Sequence, residues 1–566
     1  MQFISQTIAG LFSQKIQFTI PVYQRAYSWR QDNWIVFLQD LIDQSRRENA
    51  YSIGNLLLEI IEKDARYEII DGQQRLTTLI IFMRCLIDAL KSKNVAKEVI
   101  DELEEDFIIR NGLKKLRPVD YDQSCFDTII VDNNSSFTPS KESQKNMCEA
   151  KVFFAKELAN KSLDELDALK KTVLKTQVNR LELEGKTESA LMFELQNNRG
   201  KDLTNLEKLK SFFMYEVYVD SPQDLTASNV EDVSNYFKDI YTAAFDITGL
   251  DEDSVLIYHC NAYLQAAFGY KNLDNIKKEE KGKENKISWI KNFSLELTTT
   301  FKNLKKLQNV KSPYHRKLLK MNKRATIPYF VYPFLIKGYK FFGDDAGKMD
   351  ILFHIMEILA FRYHLISSRA DIDSRLSEII RDFDGDLVKL RDNLDKKLND
   401  AYYWGEDKMN TILKGYMYQN PALHYLLWEY EDSLQSKGYS IGAIEIKDEE
   451  IVHISPQTPT DGTKLASGYD VTAENLYTED FIRDELNCIG NLMLISKSHN
   501  CSIGNSPFAD KLNSYNSNPL LKQQAEISTF LTNGIIEWKK AEIEKRKNQI
   551  VDFASKRWSF SSVVIE

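Results

Sequence analysis

Asp71-Gly72-Gln73-Gln74-Arg75 stands where the pattern of the chain changes from strand to helix. Before it, residues 51–61 and 67–70 are rich in Ile, Leu and Tyr and read as two short strands. After it, Leu76, Leu79, Ile80 and Met83 recur at helical spacing, which predicts a helix to about Leu90. Asp71 is a good N-cap residue, and Gly72 lets the backbone turn sharply. The N–H groups of the first helical turn, with Arg75 beside them, make an anion site suited to a phosphate. Taken alone, the pentapeptide also fits an ordinary strand-to-helix turn.

Two further segments accompany it. Upstream lies Ile20-Pro21-Val22-Tyr23-Gln24-Arg25-Ala26-Tyr27-Ser28-Trp29, followed by Trp34 and an acidic helix start around Asp40. Downstream lies Phe193-Glu194-Leu195-Gln196-Asn197-Asn198-Arg199-Gly200, followed by Asp202-Leu203-Thr204. Together, and in this order, the three segments resemble the N-terminal domain of the GmrSD-type restriction endonucleases. The resemblance covers roughly residues 1–215. It implies a core similar to the ParB/sulfiredoxin fold and dependence on a nucleoside triphosphate.

The 566 residues exceed what one hydrophobic core serves, so two or three domains are expected. An apolar fraction of 43% beside 28% charged residues is that of a globular protein. No apolar run approaches the roughly 20 residues that span a bilayer, so no membrane partner is expected. The N-terminus lacks the basic start and cleavage site of a signal peptide, which predicts a cytoplasmic location. Six cysteines are scattered without a CxxC pair, arguing for reduced thiols and against a structural zinc.

A net charge of −9 gives no overall attraction to nucleic acid, but local patches decide binding. Residues 301–324 hold nine Lys/Arg and no acid. A second basic series runs through Lys539, Lys540, Lys545, Arg546, Lys547, Lys556 and Arg557. Either is a candidate DNA path, and either also reads as a solvated helix face.

Residues 1–90 alternate strands with helices, and 91–215 read as largely helical. Thr204 and Glu207 have capping-box spacing, and Leu206, Leu209, Phe212 and Phe213 supply an apolar face. Asn197–200 should therefore be a turn before a helix. Residues 216–395 read as a helical domain, broken by the charged run 277–286, expected to be an exposed, mobile loop. No internal repeat is visible. Beyond 396–440 the pattern changes to short β-type runs at 439–446 and 450–454.

The second constellation begins at His453-Ile454-Ser455-Pro456-Gln457 and continues through Ile489-Gly490-Asn491-Leu492-Met493-Leu494-Ile495 to Asn500, Asn505, Phe508 and Lys511. It resembles the HNH (ββα-metal) nuclease domain at the C-terminus of the same family. That resemblance implies His453 as the general base, Asn491 as a brace for the loop, and Asn500 as a ligand of a divalent metal on the scissile phosphate. The residue types suit phosphodiester hydrolysis: imidazole titrates near neutrality, and oxygen donors hold a hard cation. Two departures stand out. The family usually has Asp, Glu or His just before the base, and here the position is Val452. Strand alternation puts Glu450 on the side of residue 452, which makes it a candidate replacement ligand. The 38 residues from His453 to Asn491 are also long for such a core, so 457–487 read as an insertion or lid. His499 adjoins Asn500 but points about 100° away on a helix, and reads as a surface residue. His259, His315, His354, His364 and His424 read as structural. No Walker A, GxSxG or kinase signature appears.

The expected fold is α+β and mostly helical: a ParB/sulfiredoxin-like domain over 1–215, a helical domain over 216–395 and an HNH-type domain over 396–566. The expected function is a nucleotide-dependent DNA endonuclease or nickase of bacterial anti-phage defence, restricting modified or foreign DNA with Mg2+ or Mn2+. Gln24, Arg25, Asp71, Gly72, Gln73, Gln74 and Arg75 form the expected nucleotide site, closed by Asn198 and Arg199. His453, Asn491 and Asn500 are the expected catalytic residues, Asn500 and Glu450 the metal ligands, and Lys317, Lys320, Arg324 and Lys511 the contacts to double-stranded DNA. A homo-oligomer is compatible with all of this. Two alternatives stay open: a nucleotide-responsive DNA-binding regulator with an inactive nuclease domain, and an NTPase acting through a protein partner.

Overall fold

The computed structural model describes residues 2–22, 24–46, 52–183, 203–264, 272–321, 326–400, 403–435, 448–458, 467–517 and 519–565. Asn198, Arg199, Arg324 and the run 439–446 lie outside the described residues. The chain is α+β and mostly helical. Its residues gather into two compact units, Met1–His259 with Gly269–Gln308, and Cys260–Phe268 with Asn309–Glu566. No described helix is long and apolar enough to cross a membrane.

The first unit is built on a six-stranded mixed sheet. Its strands are β1 (Gln2–Thr7), β2 (Gln17–Thr19), β3 (Ser52–Glu62), β4 (Arg66–Asp71), β7 (Leu116–Arg117) and β8 (Gln177–Leu183), in the order β1-β8-β3-β4-β2-β7. The short β5 (Ile109–Arg110) and β6 (Leu113–Lys114) pair separately. β3 and β4 are the two strands expected before the pentapeptide, and they pair antiparallel. Helix Gln73–Ser92 follows, and Leu76, Leu79, Ile80 and Met83 are all buried in it. Burial extends around nearly the whole circumference, the mark of a helix at the centre of a core rather than on its surface. Trp34 Nε1 donates to Tyr27 Oη at 2.8 Å, and Tyr27 Oη bonds Thr78 Oγ1 at 2.8 Å, so the upstream segment is fastened to this central helix.

Downstream, Thr204 caps helix Asn205–Asp220 as its spacing predicts: Glu207 N donates to Thr204 Oγ1, and Thr204 N donates to Glu207 Oε2. The charged run 277–286 meets expectation only in part: 277–281 are the second half of helix Asn272–Lys281, 282–285 form an exposed connection, and Lys286 opens helix Lys286–Lys306. Ile276 and Glu280, four apart, are both buried, so one face of this charged helix packs inward despite its composition.

In the second unit, β9 (Glu449–His453) and β10 (Leu492–Ser496) form an antiparallel pair, with His453 opposite Leu492 and Glu450 opposite Ile495. Helix Lys497–Ile503 follows β10 at once. Beneath them, helix Lys540–Arg557 approaches so closely that a Cβ at Gly490 would lie 2.2 Å from the Ile543 carbonyl oxygen, and only glycine fits. Of the stretch expected as an insertion or lid, Tyr469, Phe481 and Leu486 pack with Val452, Met493 and Ile503, while residues 473–474, 476, 478–480 and 482–484 are exposed.

Candidate active site

The N-terminal motif residues are drawn together around the turn into helix Gln73–Ser92. Gly72 has φ +98°, a left-handed conformation that glycine adopts without strain, and a Cβ there would also lie 2.4 Å from Leu56 Cδ2. Gln24 Nε2 donates to the Ile70 carbonyl at 2.6 Å, and Gln73 Nε2 donates to Gln24 Oε1 at 2.9 Å. Gln74 holds the segment above it at two points: its Nε2 donates to the Ala26 carbonyl, and its Oε1 accepts from Ser28 N. Arg75 donates to the carbonyls of Ile53 and Asn55 at 2.7 and 2.9 Å and pairs with Asp71 at 3.4 Å. Each of these side chains is therefore engaged with protein atoms, and the network shapes the backbone of residues 24–28.

Residues 25–28 form one wall of a cleft of about 630 Å³. Arg25, Arg30 and Lys141 bring cations to it, Ser28, Ser143 and Asn146 bring neutral donors, and Glu142, Glu207, Asp251, Glu252 and Asp253 bring acids, Glu142 paired with Arg30 at 3.2 Å. Lys210, absent from the expected site, donates to the Gln24 carbonyl at 3.1 Å from full burial beside Tyr121 and Tyr241. Burial pushes its ammonium down to about 8 and pushes the nearby Asp122 carboxyl up to about 7. Burial, followed by the charges of Glu207 and Asp253, raises Glu252 to about 7 as well. A sequence signal for Lys210 existed: it is a lysine set on the apolar face between Leu206 and Phe213.

At the C-terminal constellation, Asn500 Nδ2 donates to Glu450 Oε2 at 2.9 Å. The pair sits where helix Lys497–Ile503 crosses β9, on the side where Val452 enters the core. Glu450 and His453 are three residues apart on one strand, so their side chains leave opposite faces. On the second face, His453 Nε2 meets Asn487 Oδ1 at 3.0 Å, and the ring lies 4.4 Å from that of Tyr418. Burial lowers the His453 pKa, partly offset by the Asn487 bond. Glu449 also faces that side, bonded to Trp428 Nε1 at 2.7 Å and His424 Nε2 at 2.5 Å. Asn487 and Tyr418 carried no sequence signal, since neither lies in a patterned segment.

Asn491 clamps the loop after β9. Its Oδ1 accepts from Ser455 N at 2.7 Å and from Trp538 Nε1 at 3.2 Å, and its Nδ2 donates to the carbonyls of Ser455 and Leu486. His499 bonds Ser514 Oγ at 2.8 Å.

Of the residues expected to meet DNA, Lys511 is 1% exposed and donates to the His453 and Ile454 carbonyls, with its ammonium pushed down to about 8 by burial. It supports the end of β9 from within and offers no surface to a duplex. Lys317 pairs with Glu429 at 2.6 Å, and Lys320 is exposed. Tertiary partners likewise supply the acids missing from the basic stretch, with Asp239 on Lys302 and Asp246 on Lys305. In the second basic series, Glu526 pairs with Arg546, Glu485 with Lys547, and Glu357 and Glu429 with Arg557.

Comparison with known families matches both ends of the chain. Residues 8–214 match the N-terminal domain of the GmrSD restriction endonucleases, and residues 395–553 match their C-terminal domain. No curated protein matches the chain. The first match takes in the turn at Asp71 and the second takes in β9, β10 and the helix after them, and together they cover most of the sequence: the chain belongs to the GmrSD restriction endonuclease family.

Proposed function

We propose that the chain is a DNA endonuclease of phage defence whose cleavage site lies at β9, β10 and helix Lys497–Ile503. The observation that carries this reading is the meeting of Glu450 and Asn500. A carboxylate and a carboxamide oxygen are hard donors, and Mg2+ or Mn2+ takes one or two such ligands while keeping several waters. Glu450 and Asn500 would thus hold the ion of an HNH-type site, and the ion would neutralise charge on the scissile phosphate. His453 takes the proton of the attacking water. Asn487 Oδ1 only accepts, so it holds the ring in the Nε2–H tautomer and leaves the Nδ1 lone pair to act as base. Asn491 keeps the loop between strand and site in place.

The cleft in the first unit suits a nucleoside triphosphate held by a ParB/sulfiredoxin-like domain. Its volume falls within the usual range for small-molecule sites, and Arg25, Arg30 and Lys141 offer donors to phosphate oxygens. Gln24, Gln73, Gln74 and Arg75 act beneath it, fixing the wall on which Arg25 stands. Nucleotide binding there gates cleavage of modified or foreign double-stranded DNA.

The endonuclease reading makes one demand, that the His453 imidazole reach the water attacking a phosphate held on the other face of β9. That same geometry favours a second reading, a nucleotide-responsive DNA-binding regulator without cleavage. A plasmid assay on modified and unmodified DNA, with and without NTP and with Mg2+ or Mn2+, separates the two. Cleavage that needs both metal and NTP supports the first; DNA binding with no cleavage under any metal establishes the second in its place.

A further inference from the structure

Helix Asn205–Asp220 ends with Glu216 and Asp220, four residues apart and so on one face. Glu280 reaches the same point from helix Asn272–Lys281. The carboxylate oxygens of the three lie within 4.8 Å of one another. Glu280 is fully buried, and neither of its oxygens has a hydrogen-bond partner. A buried carboxylate in that state is costly, because burial removes its water and nothing replaces it. The Lys286 ammonium stands among the three, 2.9 Å from Asp220 Oδ2, 3.4 Å from Glu216 Oε2 and 3.5 Å from Glu280 Oε1, the last without hydrogen-bond geometry. One ammonium against three carboxylates leaves two negative charges. Burial, followed by the Glu280 charge, holds the Glu216 carboxyl above its ordinary value.

Access comes from one side. Asp220 and Lys286 are each about one-third exposed and line a cleft of about 750 Å³ with Asn229, Glu284, Asn285 and Ser288; the other cations of that cleft, Lys283 and Lys291, pair with Glu279 and Asp232. Oxygen ligands converging from two helices, a deficit of two positive charges and an open approach are what a hard divalent cation requires. We propose that Glu216, Asp220 and Glu280 form a divalent-cation site, with Lys286 as the built-in ammonium that the ion displaces. The ion would tie helix Asn272–Lys281 to helix Asn205–Asp220, whose capped start borders the cleft described above.

The test uses the full chain carrying Glu450→Ala and Asn500→Ala, so that the proposed nuclease site contributes no ion. Titration with Mn2+, with free ion read by electron paramagnetic resonance, is expected to show one bound Mn2+ per chain. Glu280→Gln should abolish it, and Lys286→Met should tighten it by removing the competing ammonium. Asp220→Asn, at a partly exposed position, makes the same point should Glu280→Gln not fold. Absence of bound Mn2+ in the parent, or an affinity unmoved by Asp220→Asn and Lys286→Met, overturns the proposal and leaves an ion-pair network.

Discussion

At the end of β4, Gln24, Gln73, Gln74 and Arg75 are hydrogen-bonded to backbone or to each other, and together they set the path of residues 24–28. At the two ends of β9, Glu450 and Asn500 are bonded to one another near its start, and His453 is bonded to Asn487 on the opposite face at its close. Both regions are a strand end with polar residues that suggest a ligand. In the first, the side chains build a wall, and under the proposed function binding falls to the residues that wall carries. In the second, the Asn500 amide donates to the Glu450 carboxylate at a half-buried position, and each side chain carries oxygen suited to a cation. A motif can thus mark a site by making it or by shaping it, and the bonds of its side chains tell which.

The largest expected effect lies in the second region. His453→Ala in the full chain should lower DNA cleavage by roughly 10²–10⁴, the range for a positioned proton transfer, and leave NTP turnover unchanged. Asn500→Ala and Glu450→Ala should be comparably severe and should respond to excess Mn2+. Cleavage that survives Glu450→Ala in a metal-dependent parent would mean that the ion is held elsewhere.

In the first region the expected loss is of stability. Arg75→Ala removes two charge-assisted bonds to the Ile53 and Asn55 carbonyls and leaves those carbonyls without their donor. A cost of about 1–3 kcal/mol in unfolding free energy is expected, read as a lower urea midpoint. Nucleotide affinity in the folded fraction should fall less than for Arg25→Ala. The reverse order would move Arg75 from the wall into the binding site.

Much of this arrangement was legible in the sequence where a period or the Thr204–Glu207 box carries the information, but Asp71 does not cap its helix: Gly72 holds that position without a side-chain bond, and Asp71 pairs with Arg75. The alternation of short strands, the 3.6-residue spacing of Leu76, Leu79, Ile80 and Met83, and the Thr204–Glu207 box are local signals, and local backbone physics honours them. Period two put Glu450 on the side of residue 452, and there the structure brings Asn500 to it. Charge was the poor guide. Residues 301–324 lack acids in sequence, yet Asp239, Asp246 and Glu429 arrive from other helices to pair with Lys302, Lys305 and Lys317. Of the run 277–286 only 282–285 are an exposed loop; composition does not reveal that Ile276 and Glu280 share an inward face on the helix before it. Asn487 lies in an unpatterned stretch, so its bond to His453 follows from packing alone.

Lys511 tests whether the end of β9 is supported from within. Burial holds its ammonium at about 8, below the ordinary 10.5. Between those values the unfolded chain keeps a proton that the folded chain has released, so this group makes stability rise as pH climbs through that window. Lys511→Met removes the contribution. The parent should therefore gain in urea midpoint relative to the variant from about pH 8 to about pH 10.5. A constant difference across that range would place the ammonium in contact with water.

The smallest effect separates the two kinds of lysine in the basic stretch. Lys317 is neutralised by Glu429 at 2.6 Å, whereas Lys320 is exposed at the end of the same helix, Pro313–Lys320. If this helix lies along DNA, Lys320→Gln should make the salt dependence of binding shallower by about one counterion. Lys317→Gln should leave that slope unchanged, because its charge is already matched within the protein. Equal, non-zero changes for both would show that Glu429 releases Lys317 when DNA arrives. No change for either would return the stretch to an ordinary solvated surface and send the search for the DNA path to the face around Glu450 and Asn500.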